Sequence, residues 1–383
     1  MSADNRTPKR WSRRRTFLVG GTVTAGLAAG ALGTVLALAG TPAAKAPAAS
    51  AVNNGAASHA PISKGALTAI SQSAGTGASY YAYLAAAGGD EVVEVNVAAA
   101  SIVGTFSADS GEGVAAAPDG SEIYIAETGQ YSVLAVNPAT KAQKAIEVGP
   151  YPQDVAVSPT GKVVYATVTG GDTGPGGSNV VAVIDPSTDT VTSDIKTGTA
   201  PRQVVFSPDG ATAYVTTETG IDVISTANSK VTRVIPDPAG PQGIAVSPDG
   251  KTLYVTNPNA GTLLTVNAAS GAITGDVRAG AEPEAVAVTP NGAALYVADM
   301  NSDSVSVLSA ATLKVTGTIP VGRLPMSVTV SPDGSQAWVG NGLSGSVSII
   351  ATATGKVVTT VGGGPGTSTL DAAITDIAFA PAP

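Results

Sequence analysis

One phrase, a proline-containing turn followed by an apolar strand, recurs along this chain and constrains its fold more than any other feature. It reads SPDGKTLYVTN from Ser247 to Asn257. The turn proline of each copy is Pro118, Pro159, Pro208, Pro248, Pro290, Pro332 and, in a degenerate copy, Pro381. The spacings are 41, 49, 40, 42, 42 and 49 residues. Strand-rich repeats of about 40–45 residues are typical of propeller blades rather than helical solenoids.

Each copy of the phrase predicts a β-hairpin. In one copy Val286-Ala287-Val288 is the first strand, Pro290-Asn291-Gly292 the turn and Leu295-Tyr296-Val297 the return strand. Proline presets φ and glycine accepts positive φ, so these turn residues have a mechanical reason to recur. Two further strand patterns follow, at 304–308 and 314–319, which gives four strands per repeat. We interpret the aromatic residue that recurs four positions after the turn glycine as a packing residue.

The repeat count also predicts how the ring closes. There are seven second strands, beginning with Ala82-Tyr83-Leu84, and seven inner strands, ending at 374–380, but no inner strand precedes the first second strand. The C-terminal strand must therefore complete the first blade and cover its edge. We expect an all-β, seven-bladed β-propeller over residues 80–383, with four antiparallel strands per blade.

The N-terminal residues predict export from the cytoplasm. Arg14-Arg15-Thr16-Phe17-Leu18 matches the core of a twin-arginine signal, and residues 17–39 are apolar and rich in Gly and Ala. We assign 1–50 to an export signal, either cleaved or retained as an anchor, since 23 residues are long enough to span a bilayer. Residues 51–79 form an Ala/Ser/Gly-rich linker that contains the single histidine, His59. We expect an extracellular or envelope-associated monomer that touches the membrane only through an uncleaved N-terminal segment.

Composition excludes several chemistries. The chain has no cysteine, so disulfides, cysteine nucleophiles and CxxCH haem attachment are ruled out. The repeats contain no histidine, which removes histidine as a general base there. Residues 51–383 keep 13 of the 20 basic and 27 of the 28 acidic residues, a formal net charge of about −14. Nucleic acid is therefore not an expected partner, because binding it needs a basic stripe.

The central channel mouth is the predicted ligand site, on the face opposite the repeated turns. Loops that lead into the inner strands supply the candidate ligand-binding residues Asp154, Arg202, Gln242, Glu282, Glu284, Arg323 and Asp376. Among them Asp154, Arg202 and Glu284 are the candidates for catalysis. Loops from second to third strands add further polar side chains, including Glu127, Asn257, Asp299 and Asn341. The mouth is thus predicted to be acidic, and crowded carboxylates raise one another's pKa or recruit a cation.

One loop partly matches a calcium-binding pattern. Asp299, Asn301 and Asp303 place oxygen ligands at the first, third and fifth positions. The sixth position is Ser304 instead of Gly, and the twelfth is Ala310 instead of Glu. Asx turns within a tight loop explain the same residues. Ca²⁺ is the one candidate cofactor; otherwise none is expected.

The repeated motif resembles a known family. Tyr254-Val255-Thr256-Asn257 after Ser247-Pro248-Asp249-Gly250 is similar to the signature of the YVTN-family seven-bladed propellers, and the resemblance covers 80–383. It implies an exported or surface-layer protein, related in fold to lactonase propellers and to the haem-binding propellers of nitrite reductases. The repeats contain no histidine and the chain has no CxxCH motif, which argues against the haem branch.

Two functions follow as hypotheses. The first is a non-catalytic binding or scaffold propeller that presents its acidic mouth to a protein, a peptide or a cell-wall glycan. The alternative is a lactonase-like hydrolase or a lyase, in which Glu284 and Asp154 act as acid or base and Arg202 stabilises an oxyanion, with or without a divalent cation. The recurring residues make turns and strands, so the repeat indicates fold and leaves activity to the mouth.

Overall fold

The structure is a computed structural model that describes residues 79–170, 179–362 and 372–382. The predicted export signal at 1–50, and the predicted linker up to residue 78 with His59, lie outside the described residues. Within the described part, no helix is long and apolar enough to cross a membrane.

The described residues form seven four-stranded antiparallel sheets, which confirms the predicted all-β, seven-bladed propeller. Blade 1 contains β1 (Tyr80–Ala87), β2 (Glu91–Asn96), β3 (Ser101–Ser107) and the last strand, Ala373–Pro381. Blade 2 contains β4 (Gly111–Ala116), β5 (Ile123–Glu127), β6 (Ser132–Val136) and β7 (Gln143–Glu147). Blade 3 contains β8 (Pro152–Val157), β9 (Val164–Val168), β10 (Val180–Asp185) and β11 (Thr190–Lys196). Blade 4 contains β12 (Val204–Phe206), β13 (Thr212–Thr217), β14 (Gly220–Ser225) and β15 (Lys230–Pro236).

The remaining three blades follow the same order. Blade 5 contains β16 (Ile244–Val246), β17 (Thr252–Asn257), β18 (Thr262–Asn267) and β19 (Ile273–Arg278). Blade 6 contains β20 (Pro283–Val288), β21 (Ala294–Asp299), a 3-10 turn at Met300–Ser302, β22 (Ser304–Ser309) and β23 (Val315–Pro320). Blade 7 contains β24 (Pro325–Val330), β25 (Gln336–Asn341), β26 (Ser346–Ala351) and β27 (Lys356–Gly362), and the last strand of the chain is β28.

The C-terminal strand closes the ring as the repeat count predicts. β28 pairs antiparallel with β1, in a register that runs from Tyr80 opposite Pro381 to Ala87 opposite Ala373. At the seam with blade 7, the rings of Trp338 and Phe379 meet edge to face, with centroids 5.5 Å apart. The first blade is therefore built from both ends of the propeller.

The SPDG phrase works as a hydrogen-bonded turn. Ser247 Oγ donates to Asp249 Oδ1 at 2.7 Å, the Lys251 N–H donates to the same carboxylate oxygen at 3.1 Å, and the Thr252 N–H donates to Ser247 Oγ at 2.9 Å. Gly250 has φ of +72°, where a side chain would be strained. Serine, aspartate and glycine each have a structural role, so the phrase recurs for folding reasons.

The hydrophobic core lies between neighbouring blades, because both faces of each sheet are covered. The aromatic residue after each turn is buried, as a packing role predicts: Tyr124, Tyr165, Tyr214, Tyr254, Tyr296 and Trp338. Tyr214 of blade 4, for example, shares a cluster with Leu253 and Leu264 of blade 5. The strands accordingly show buried runs rather than an alternating pattern, as in IYIAE of β5.

Candidate functional site

The inner strands surround a central channel, and each one supplies a side chain at its mouth. This side chain lies six residues before the turn proline, as Glu284 does before Pro290. We call the seven residues at this position the mouth ring: Glu112, Gln153, Arg202, Gln242, Glu284, Met326 and Thr375. They line a cavity of about 170 Å³.

The mouth-ring residues are placed by β-bulges. Between β20 and β21 the register passes from Pro283 to Ala285 and skips Glu284, and the paired strands of blades 1, 2, 3 and 7 skip the equivalent residue. In blade 4 the Arg202 N–H donates to the Thr216 carbonyl, and the Thr216 N–H donates to the Gln203 carbonyl. A bulge bends a strand and changes the direction of a side chain. Here it presents one side chain per blade to the same opening.

A second ring lies one residue further along the inner strands and ties the blades together. Asp154 Oδ2 accepts the Val204 N–H at 2.8 Å, and Asp376 Oδ2 accepts the Val114 N–H at 2.9 Å. Gln203 Oε1 accepts the N–H of Ile244 at 2.7 Å in the same way. These side chains also line the cavity. Asp154 and Asp376 therefore hold neighbouring inner strands in place and bring two carboxyl groups to the channel.

Three consecutive mouth-ring residues form a hydrogen-bonded chain. Arg202 Nη1 donates to Gln242 Oε1, and the Gln242 side chain also hydrogen-bonds the carboxyl group of Glu284. An amide that accepts from arginine has its N–H₂ group left to donate to a carboxylate. Arg202 Nε is buried and has no hydrogen-bond partner among the described residues. The guanidinium thus still has donor capacity next to the cavity.

The carboxyl groups of the mouth have raised pKa values. Burial raises the pKa of Glu284 to about 7, although the charge of Arg202 and the Gln242 hydrogen bond oppose the increase. Burial raises the pKa of Asp376 to about 6, against the hydrogen bonds from Val114 and Ile377. The pKa of Asp154 is raised by burial and by the nearby Asp376 charge. Protons can therefore be exchanged here near neutral pH.

Five of the seven residues predicted to bind a ligand converge on the cavity: Asp154, Arg202, Gln242, Glu284 and Asp376. Glu282 and Arg323 lie instead at the outer rim. Glu282 has φ of +56° and accepts a hydrogen bond from Asn301 Nδ2, and Arg323 is exposed. The sequence prediction missed Glu112, Gln153, Met326 and Thr375. Their constant distance from the turn proline is the signal that identifies them.

The polar residues at the ends of the second strands are buried structural groups. Asp299 is 0% exposed, and its Oδ2 accepts a hydrogen bond from Ser306 Oγ at 2.6 Å. Asn341 is also 0% exposed and donates to Ser346 and Ser348. Glu127 and Asn257 are also buried, at 5% and 1% exposed. These residues support the loops of the mouth face and do not line its opening.

The calcium-like loop uses its oxygens for contacts within the protein. Asp299 accepts from Ser306, and Asp303 Oδ1 accepts the Leu324 N–H at 2.9 Å, while Asn301 contacts Glu282. Over the described ranges, no group of three or more His, Cys, Asp or Glu side chains could hold a metal ion. Calcium binding by Asp299, Asn301 and Asp303 stays a prediction.

The chain is similar in sequence to part of a lactonase family. Residues 181–309 and 257–363 match the family described as Lactonase, 7-bladed beta-propeller, and together span slightly under half of the chain. The matched region contains Arg202, Gln242 and Glu284. A comparison with curated proteins found no match.

Solved structures share the fold. Hydrazine synthase of Kuenenia stuttgartiensis is 25% identical, with 69% of this chain and 90% of that chain covered and a TM-score of 0.63. A candidate 6-phosphogluconolactonase from Bacteroides uniformis ATCC 8492 is 16% identical, with 79% and 100% covered and a TM-score of 0.63. Another, from Bacteroides fragilis NCTC 9343, is 15% identical, with 79% and 98% covered and a TM-score of 0.61. The protein is a seven-bladed β-propeller, and the narrower YVTN-family label stays a prediction.

Proposed function

We propose that this protein is a hydrolase that opens small lactones at the mouth ring. The observation that carries the proposal is the chain from Arg202 through Gln242 to Glu284, whose carboxyl pKa is about 7. A general base works best when its pKa lies near the working pH. The lactonase family match over 181–363 and the two structural neighbours described as candidate 6-phosphogluconolactonases support the same chemistry.

The proposed reaction uses Glu284 twice. Its carboxylate takes a proton from water while the water oxygen attacks the lactone carbonyl carbon. The carbonyl electrons move to oxygen, and the guanidinium of Arg202 stabilises that oxyanion. When the tetrahedral intermediate collapses, the ring C–O bond breaks and Glu284 returns its proton to the leaving alkoxide. The product is a hydroxy acid. A cavity of about 170 Å³ favours a small substrate.

A panel of small lactones tests the proposal, with hydrolysis followed by acid release at pH 7.5. We expect Glu284→Gln to lower kcat/KM by at least about 100-fold, because removing a general base typically costs 10²–10⁴-fold. Glu282→Gln is the matched control at the rim and should stay within about threefold of the wild type. Absence of turnover across the panel, or an equally active Glu284→Gln variant, would contradict the proposal.

Binding without catalysis is the second candidate. Its specific support is an aromatic pair on the mouth face, where the rings of Tyr131 and Tyr151 meet edge to face with centroids 5.5 Å apart. Their exposed fractions are 46% and 43%. Tyrosine combines an apolar ring with a polar tip and is common at interfaces. Glycan or peptide binding that is lost in Tyr151→Ala, in a protein that hydrolyses no lactone, would favour this candidate.

A further inference from the structure

Three buried threonines stand behind the hydrogen-bonded part of the mouth ring. Thr167, Thr216 and Thr256 each occupy the next-to-last position of a second strand, in β9, β13 and β17. All three are 0% exposed. Thr256 is the threonine of the YVTN phrase. Their side chains face the inner strands, where a hydroxyl group needs a hydrogen-bond partner.

Each threonine joins its own blade to the next one. Thr256 Oγ1 accepts the N–H of Gly243 at 2.8 Å and donates to the carbonyl of Glu284 at 2.9 Å. Thr216 Oγ1 accepts the backbone N–H of Gln203 at 3.1 Å and donates to the Gln242 carbonyl at 2.8 Å.

The third threonine repeats this arrangement one blade earlier. Thr167 Oγ1 accepts the N–H of Asp154 at 3.1 Å and donates to the Arg202 carbonyl at 2.6 Å. The three acceptor carbonyls therefore belong to Arg202, Gln242 and Glu284. A hydroxyl has one proton to donate, and in each case the shortest acceptor contact is to the mouth-ring residue of the next blade.

The other four blades lack this hydroxyl. The equivalent position, two residues after the buried aromatic residue, is occupied by Ala85, Ala126, Ala298 and Gly340. A hydroxyl required by the shared four-stranded architecture would be expected in all seven blades, which have the same strand order. The hydroxyl is instead confined to the three blades that precede Arg202, Gln242 and Glu284.

We propose that Thr167, Thr216 and Thr256 are positioning residues that fix the backbone of three successive mouth-ring residues, so that Arg202, Gln242 and Glu284 stay aligned. Each hydroxyl anchors the carbonyl of a residue in a bulge, where the regular ladder gives less support. A fixed backbone keeps the hydrogen bonds between these three side chains preorganised. The catalytic meaning of this alignment rests on the proposed lactone hydrolysis, but the alignment itself does not.

The test measures the ionisation of Glu284 without any substrate. The protein is labelled with ¹³C at glutamate side-chain carboxyl groups, and the Glu284 signal is assigned by its loss in Glu284→Gln. Thr256→Val keeps the shape of the side chain and removes the hydroxyl. We expect the pKa of Glu284 to fall by at least about half a unit in Thr256→Val, because a released carboxyl gains access to water. Thr256→Ser, which keeps the hydroxyl, should restore the wild-type value.

Thr217→Val is the matched control. Thr217 is buried beside Thr216, but its Oγ1 donates to the Gly220 carbonyl within its own hairpin. We expect it to leave the Glu284 pKa unchanged. Thr216→Val, which releases Gln242, is the second variant. We expect it to shift the Glu284 pKa as well, so the test can still be made if Thr256→Val does not fold. The proposal is overturned if the Glu284 pKa is unchanged in folded Thr256→Val and Thr216→Val. It is also overturned if Thr217→Val shifts the Glu284 pKa as much as they do.

Activity provides a separate readout. If lactones are hydrolysed, kcat/KM should fall at least about tenfold in Thr256→Val and stay within about twofold in Thr256→Ser. A pKa shift without any lactone hydrolysis would support the positioning role and contradict the proposed function. Hydrolysis that is as fast in Thr256→Val as in the wild type, with an unshifted Glu284 pKa, would support the proposed function and contradict the positioning role.

Discussion

At the scale of single residues, Glu284 shows how the fold sets the chemistry of a side chain. Burial favours the neutral carboxyl, whereas Arg202 and Gln242 favour the carboxylate. Burial is the larger influence, so the pKa rises to about 7 instead of falling as it does in an ordinary ion pair. The result is a carboxyl group that is partly ionised at neutral pH and can both take up and release a proton.

This shift has a consequence for stability. The ordinary pKa is 4.5 and the folded value about 7, so between these pH values the folded protein binds the proton more strongly than the unfolded chain. The stability that Glu284 contributes is fully present below about pH 4.5 and is lost as pH rises to about 7. The shift corresponds to about 3 kcal/mol. Glu284→Gln removes this dependence.

We therefore predict that the free energy of unfolding of Glu284→Gln, taken relative to that of the wild type, increases by about 3 kcal/mol between pH 4 and pH 8. Urea unfolding of both proteins at the two pH values measures this difference, and the other mouth carboxyls cancel in the comparison. Glu282→Gln serves as the control at the rim. A stability difference that is the same at both pH values would mean that the pKa of Glu284 is ordinary.

Sequence reasoning identified half of this site for a physical reason. Charged residues close to an inner strand, such as Arg202 and Glu284, stand out because charge is rare in a buried sheet. Met326 and Thr375 carry no such signal, and Glu112 was missed although it is charged. The alternation of side chains along a strand does not predict the mouth ring either, because the extra residue of a bulge reverses which side chains face the channel. Only alignment of the seven turns in register gives the mouth ring.

At the scale of strands and loops, the sequence predicts the hairpins better than the loops between them. The SPDG turns have local causes, in the hydrogen bonds of Ser247 and Asp249 and the positive φ of Gly250. Asp299 was predicted to lie in a mouth loop, yet it is buried at the end of β21. Its environment depends on Gly280, which lies outside that hairpin, in the loop between β19 and β20, and leaves room for the carboxylate. Such non-local fits cannot be deduced from a single segment.

Gly280→Ala is predicted to destabilise the protein by at least about 3 kcal/mol. Gly280 has φ of +79°, and a Cβ there would lie 2.1 Å from Asp299 Cγ. The strained backbone alone costs about 1–2 kcal/mol, and displacement of a buried carboxylate adds to it. Chemical denaturation measures the loss.

Gly317→Ala is the matched control in β23 of the same blade. Its added Cβ would meet nothing within 4 Å, and the φ of Gly317 is not positive. We expect this variant to be as stable as the wild type or more stable, by up to about 1 kcal/mol. Equal effects of the two substitutions would contradict the account of Gly280.

At the scale of the whole molecule, closure joins the fold to the site. β28 completes blade 1 and also supplies Thr375 and Asp376 to the cavity. The count of second and inner strands in the sequence is enough to predict that the C-terminal strand completes the first blade. Closure covers the edge of β1, and the channel is complete only when all seven inner strands are in place.

Ending the chain at Gly362 should open the ring. We predict a fall of at least about 10 °C in melting temperature, because the truncation exposes the edge of β1 and removes the Phe379 contact with Trp338. Differential scanning calorimetry measures the change. Adding a peptide of residues 372–383 should recover part of the loss. A truncated protein that melts like the full chain would show that β28 does not close the propeller.

The central claim is that Glu284 acts as a general base tuned by Arg202, and the pH dependence of kcat/KM for lactone hydrolysis tests it most directly. We predict that kcat/KM rises with pH around a midpoint of about 7. The midpoint should move to higher pH in Arg202→Gln, because the positive charge that lowers the Glu284 pKa is gone. A rate that does not rise between pH 5 and 9, or a midpoint that stays in place without Arg202, would contradict the account.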